Sequence, residues 1–250
     1  MTPEGMGTIR TDWGQMACRD AGGAGPAVLL LHGTGCDSSD WAAVLRELPP
    51  GVRAVTMDFR GHGRSSIPAA AFELPDLADD VLRLIRELGP ARVLLVGHSL
   101  GGMVAMEAAR RCPAVAGLVL LEGWTRLSAA GAFDGDRFYG TLPRAAVDRI
   151  QRKSEQTRRR FPPALWDHFW HSLERFDGCD YLRTARIPII EVYGDMGRTD
   201  RTEALLGVPD NPCIEWIWIP GAGHYLPHES PRQVARACSR GIEKTVYPGD

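Results

Sequence analysis

Ser99 stands at the centre of Gly97-His98-Ser99-Leu100-Gly101, with a small residue two positions to either side. A strand-like run, "RVLLV", precedes it and an alanine-rich helical stretch, "LGGMVAMEAARR", follows. A strand-to-helix turn this sharp forces its central residue into a strained backbone conformation and presents the hydroxyl as a nucleophile. The same residues could also be a serine N-cap at a glycine turn. The placement between a buried strand and a helix favours the nucleophile.

A serine hydroxyl is weak without a general base, so a histidine must be brought to it. "IPGAGHYLPHESP" follows the last strand-like run and places His224 on a loop at a strand's carboxyl end, where open α/β sheets gather reactive groups. His228 is the competing candidate, further along at the start of the final helix.

These residues need a sheet to hold them. Apolar runs recur at 27–32, 52–58, 92–97, 117–122, 187–194 and 213–220, with helical stretches between most of them. Strands apolar on both faces and alternating with helices imply an α/β fold with a mostly parallel sheet covered on both sides. "TIRTDWGQMACRD" reads as an antiparallel hairpin turning at Trp13-Gly14, which brings the total to about eight strands. Between Glu122 and Ile187 no strand-like run occurs; the region reads as an inserted helical cap, 124–185, on a core of 1–123 and 186–250, with one helix opening at Pro162-Pro163. Arg158-Arg159-Arg160 reads as a solvated helix face. "AGGAGP" precedes a strand, so it is a loop and not a dinucleotide fingerprint.

With these elements in place the chain resembles the α/β-hydrolase superfamily over nearly its full length. "LLLHGTG" resembles the oxyanion loop, "MDFRGHGRSS" the segment after the next strand, "GHSLGG" the nucleophile elbow and "GAGHYLPHESP" the histidine loop. The resemblance implies Ser99 as nucleophile, His224 as base, and an oxyanion hole from the backbone N–H groups of Thr34 and Leu100. Physical reasoning supports Leu100 independently, because its amide opens a helix. His32, Arg60 and His62 read as bracing residues, with an Asp58–Arg60 ion pair joining adjacent loops. His98 is expected in the pocket wall or beneath it. His168 and His171, three apart on a helix, could face a ligand together, but no carboxylate pattern beside them suggests a metal site.

The family's usual acid position, three residues beyond the glycine of "IIEVYG", is Gly197 here; Asp195 falls two residues early and Asp200 three late. Glu122 ends the preceding strand, with Gly123 letting the chain turn away, and some relatives, among them certain haloalkane dehalogenases and a mycotoxin lactonase, draw their acid from there. Glu122 is the preferred acid and Asp195 the alternative.

The chain has 250 residues, 44% hydrophobic and 24% charged, with a formal net charge of −2, so one core accommodates it and no electrostatic footprint for nucleic acid or an anionic membrane exists. Six scattered cysteines without a CxxC pair read as free thiols. No signal peptide or membrane span is evident, and a cytoplasmic monomer or homodimer acting on a small molecule, without metal or cofactor, is expected. The reaction implied is hydrolysis of a carboxylic ester or lactone through an acyl-serine. Trp124, Phe133, Phe138, Trp166, Phe169 and Trp170 offer an aromatic lining for an apolar or aromatic substrate, half of them expected only to pack the cap. The same fold also serves carbon–carbon bond hydrolases, hydroxynitrile lyases, cofactor-free haloperoxidases and a ligand receptor that keeps its triad, so these remain alternatives.

Overall fold

The computed structural model describes residues 5–132, 135–196, 198 and 206–246. Its eight strands are β1 (Gly5–Thr11), β2 (Gly14–Asp20), β3 (Ala27–Leu31), β4 (Arg53–Met57), β5 (Val93–His98), β6 (Val115–Leu121), β7 (Ile189–Gly194) and β8 (Ile214–Ile219). They form one sheet in the order β1-β2-β4-β3-β5-β6-β7-β8, parallel from β4 to β8 and antiparallel in the leading hairpin. The hairpin's two-residue loop is Asp12-Trp13, one residue earlier than the sequence suggests. Gly14 is already paired with Thr11, and its φ of +138° is a strand-entry conformation that a glycine tolerates.

The central strands are buried on both faces, which explains their unbroken apolar runs. Leu29, Leu31, Leu95, Leu118 and Leu120 point to one side and pack with Leu77, Val81, Met103 and Val104. Val28, Leu30, Leu94, Val96 and Val119 point to the other and pack with Trp41, Val44, Val234 and Cys238. The first layer is supplied by α2 (Leu74–Leu88) and α3 (Leu100–Arg111), the second by α1 (Ala42–Glu47) and the C-terminal helix.

Between β6 and β7 the described elements are two 3₁₀ turns and helices α4 (Arg144–Arg160), α5 (Pro163–Glu174) and α6 (Cys179–Thr184). Pro163 occupies the first turn of α5, where a missing N–H costs nothing. After β8 come α7 (Leu226–Glu229) and α8 (Pro231–Val246). Among the described residues no two cysteines are joined by a disulfide. Among the described residues no helix is long and apolar enough to cross a membrane.

The Arg158–Arg160 run is more than a solvated face. Arg160 donates to the carbonyl oxygens of Gly63 (2.7 Å) and Ser65 (2.8 Å), and Arg158 lies over the Trp166 ring. The next residue, Phe161, sets its ring where a Cβ on Gly61 would have to be. The α4–α5 corner is thereby docked onto the loop after β4.

Candidate active site

Ser99 joins β5 to α3 with φ +54° and ψ −117°, outside the regions open to ordinary L-residues. A Cβ at Gly97 would overlap the backbone of Gly101, and one at Gly101 would overlap the carbonyl of Leu31. The glycines two positions either side therefore permit close approach rather than unusual dihedrals. Ser99 N–H donates to the Leu121 carbonyl at 2.9 Å, tying the turn to β6.

His224 lies on the loop after β8. Its backbone N–H donates to the Phe138 carbonyl (2.8 Å) and its carbonyl accepts from His98 Nε2 (2.9 Å). Glu229 clasps the loop from below, Oε2 accepting from Gly223 N–H (2.8 Å) and Oε1 from Tyr225 N–H (2.9 Å). The imidazole is sandwiched by rings: Phe138 stacks at 4.5 Å between centroids and 18°, and Trp124 lies at 4.7 Å. Burial lowers the His224 pKa from its ordinary value, Glu122 opposes that shift, and the Arg198 charge adds to it. At neutral pH this favours the unprotonated form a general base needs.

Glu122 follows β6 with φ +50°, so the chain turns at the glutamate itself and not at Gly123. Gly123 serves the packing of α3 instead, because a Cβ on Gly102 would overlap its Cα. The fully buried Glu122 carboxylate stands with Oε2 3.7 Å from His224 Nδ1. Oε1 accepts from Gly194 N–H at 2.9 Å and Oε2 from Trp124 Nε1 at 3.4 Å. Arg198 forks onto both oxygens, Nη1 to Oε1 at 3.0 Å and Nη2 to Oε2 at 2.7 Å. The alternative acid, Asp195, points its Oδ1 to Gly221 N–H at 2.7 Å, in the turn that leaves β8.

Ser99, His224, Thr34 and Leu100 line one cavity of about 200 Å³. Its apolar walls are Trp124, Phe138, Trp166 and Trp170 together with Met103, Leu127 and Leu173; Ser154 of α4 and Tyr225 add polar groups. Two wider grooves, about 460 Å³ each, include neither Ser99 nor His224.

Several expectations are corrected. Phe169 does not line the cavity: it is fully buried, its ring 5.0 Å from that of Phe72 and beside that of Trp166, so it packs into the core next to the Trp166 and Trp170 pair that reaches the cavity. Phe133 lies outside the described residues, as do Gly197 and Asp200. Arg60 pairs with Asp80 (2.8 Å) rather than with Asp58 and sits against the Trp13 and Phe72 rings, while Asp58 accepts from the amides of Ser38 and Arg64. Both residues brace loops, with other partners than foreseen.

The remaining histidines have structural partners. His32 Nδ1 donates to Gly33 O (2.7 Å) and its Nε2 accepts from Phe59 N–H (3.0 Å), which fixes a neutral tautomer beneath the oxyanion loop. Burial lowers the His62 pKa to about 3. His98 packs under Gly33, not in the cavity wall. His228 bonds Asp40 at 2.9 Å. His168 lies 3.4 Å from Glu73, and His171 bonds the Asp167 carbonyl. Among the described residues no group of His, Cys, Asp or Glu could hold a metal ion.

Arg198, Glu229 and Ser154 were not apparent in the sequence. Arg198 follows a strand end by four residues in a stretch rich in both charges. Glu229, within "LPHESP", resembles an ordinary first-turn acid. Ser154 carries no signal beyond its helical position.

A doubly covered parallel sheet with a strained serine at a strand-to-helix turn defines the class as the α/β-hydrolase fold. The chain belongs to the alpha/beta hydrolase family, whose profile matches residues 28–237. It is 40% identical over 233 residues, 82% of this chain and 84% of the relative, to the RutD protein of Variovorax paradoxus, a carbamate hydrolase by provisional name. It is 27% identical over 252 residues, 88% of this chain and 89% of the relative, to the 2-(acetamidomethylene)succinate hydrolase of Mesorhizobium japonicum. Among solved structures, N-acyl homoserine lactonase AidH complexed with N-butanoyl homoserine superposes with a TM-score of 0.73 at 19% identity, over 96% of this chain and 97% of that one.

Proposed function

We propose that the protein is a serine hydrolase that cleaves a carboxylic ester or lactone of a small, uncharged, apolar or aromatic substrate through an acyl-serine. One observation carries this reading: Ser99 and His224 share a cavity with Thr34 and Leu100 while the Glu122 carboxylate stands on the Nδ1 side of the same imidazole, 3.7 Å away. Ser99 Oγ attacks the carbonyl carbon as His224 Nε2 takes the hydroxyl proton, and the amides of Thr34 and Leu100 receive the oxyanion. Collapse of the tetrahedral intermediate expels the alcohol, which takes the proton from His224. Water then attacks the acyl-enzyme by the same route, releasing the acid and restoring Ser99. Glu122 orients the imidazole and stabilises its charged form.

The lining supports an uncharged substrate, since among the described residues around the cavity none is a lysine, arginine, aspartate or glutamate. A volume near 200 Å³ suits a short acyl or small lactone better than a long chain. We read residues 124–185 as a cap whose helices supply Ser154, Trp166, Trp170 and Leu173 to the site and so select the substrate. A second reading, hydrolysis of a carbamate or amide, is favoured by the similarity to RutD. The same acyl-serine steps would apply, with the amine as leaving group.

The test replaces Ser99 by alanine and measures turnover on a panel of short esters, lactones and carbamates. Loss of at least about a thousandfold with the fold intact supports the nucleophile. A serine-directed organophosphonate is expected to label the wild type once, at Ser99. Near-wild-type turnover of Ser99→Ala, or labelling elsewhere, overturns the reading. The ratio of ester to carbamate turnover decides between the two substrate classes.

A further inference from the structure

We propose that Arg198 is a positioning residue for the acid–histidine pair: it grips both oxygens of Glu122 beside His224 and, through its charge, keeps the imidazole unprotonated. The inference rests on the triad reading above.

The geometry is that of a built clamp. Arg198 and Glu122 side chains are 2% and 0% exposed, and the guanidinium fork meets the carboxylate through two parallel bonds. The guanidinium also donates to the Gly194 carbonyl and lies over the Tyr193 ring, 5.3 Å from its centroid. Together with the Gly194 amide, these contacts hold the carboxylate from β7 and the loop after it. Arg198 therefore acts from the loop that also carries Asp195. A buried arginine is costly unless it faces a carboxylate that stays ionised and fixed.

The clamp has a measurable consequence. A carboxylate shared with a guanidinium stabilises the neighbouring imidazolium less than an unshared one. Removing the Arg198 charge makes uptake of a proton by His224 easier.

Other groups face this pair. His98, packed at 4.9 Å from His224, has its pKa lowered by burial, and a proton on His224 pushes the same way. Across β7, Glu191 and Tyr193 lie near Glu122, both with burial-raised pKa values that favour their neutral forms. Glu229 and Tyr225 flank His224 on its own loop, and Asp195 shares the loop of Arg198. Asp40 and His228 act from further out, on His98. Among these described groups Arg198 is the cation in direct contact with Glu122.

The experiment follows the pH dependence of kcat/KM for p-nitrophenyl acetate in the full chain, for wild type, Arg198→Met, Arg198→Gln and Arg198→Lys. The acid limb of the two neutral variants is expected to move up by on the order of one to two pH units. At pH 6 that lowers turnover by about threefold to several tens of fold, while Arg198→Lys returns the limb towards wild type. Arg198→Gln keeps hydrogen-bonding capacity and replaces the methionine variant in this comparison if that one does not fold. A limb that stays within about 0.3 units in the neutral variants, with or without a lower plateau, overturns the proposal and leaves Arg198 as packing. A limb that moves equally in the lysine variant also overturns it, because charge would then not be the cause. If Ser99→Ala retains turnover, the triad reading fails and this proposal with it; if Ser99→Ala is inactive but the limb is unmoved, only the Arg198 proposal fails.

Discussion

Ser99 and Glu122 are the two non-glycine residues with positive φ among those described, at +54° and +50°, and they follow the neighbouring parallel strands β5 and β6. The Ser99 amide donates to the Leu121 carbonyl, immediately before Glu122, so each strained turn braces the other. Strain of this kind costs on the order of 1–3 kcal/mol per residue and concentrates where a side chain must be aimed.

Replacing Ser99 by glycine relieves that strain at the nucleophile. Ser99→Gly is expected to be at least as resistant to thermal unfolding as the wild type, by about 1 kcal/mol, while losing turnover. A melting temperature several degrees below wild type would show that Ser99 is not strained in solution.

Glu122 and Asp195 are separated by paired isosteric variants. Glu122→Gln is expected to lower kcat at least about a hundredfold, and Asp195→Asn to stay within about tenfold. The fork of Arg198 adds a second signature. A buried guanidinium left without its counter-charge destabilises the fold, so Glu122→Gln should also lose about 3 kcal/mol in a denaturant titration. The reverse ranking in kcat would transfer the acid role to Asp195.

The aromatic residues of α5 should divide into two kinds of phenotype. Phe169→Ala removes a fully buried ring from the core and is expected to cost about 3–5 kcal/mol with little change in substrate preference. Trp170→Ala opens the cavity wall and should shift kcat/KM towards bulkier acyl groups with a much smaller loss of stability. Comparing denaturation midpoints with turnover on acetyl, butyryl and benzoyl esters checks both.

The contrast marks where sequence reasoning ended. Strands and elbow were legible because burial on both faces writes itself as unbroken apolar runs, and because close approach at Gly97 and Gly101 admits no side chain. The position of Glu122 directly after β6 was legible from the end of its apolar run. Phe169 was misread because its role depends on which side of α5 meets the core, a rotation that no spacing within one aromatic-rich helix fixes. Arg60 was misassigned because two acids lay in reach, one nearby at Asp58 and one on α2 at Asp80, and only packing against Trp13 and Phe72 selects the second. Arg198 was invisible for a similar reason: a long charged side chain in an irregular segment finds its partner in three dimensions, 76 residues away.

Glu191 offers a test on stability rather than rate. It is fully buried on β7, and burial raises its pKa from 4.5 to about 8, with the Glu122 charge pushing the same way. Between those two values the folded chain holds a proton that the unfolded chain has released. Stability contributed by this group is therefore complete below pH 4.5 and declines as pH rises towards 8, by at most about 1.4 kcal/mol per unit. The buried histidines act on the acid side, because their lowered pKa values let the unfolded chain take up protons below pH 6.5 that the folded chain does not, so their contribution is lost as pH falls. The wild-type curve alone would thus mix the two. Glu191→Gln isolates the carboxyl: it keeps the shape, cannot ionise and leaves the histidines in place. The variant's stability minus that of the wild type should rise steadily from pH 5 to 8 in urea titrations. Its absolute offset depends on how the amide packs beside Tyr193, but the slope does not. A difference that stays flat over this range would mean that Glu191 is already ionised, or already neutral, in both states.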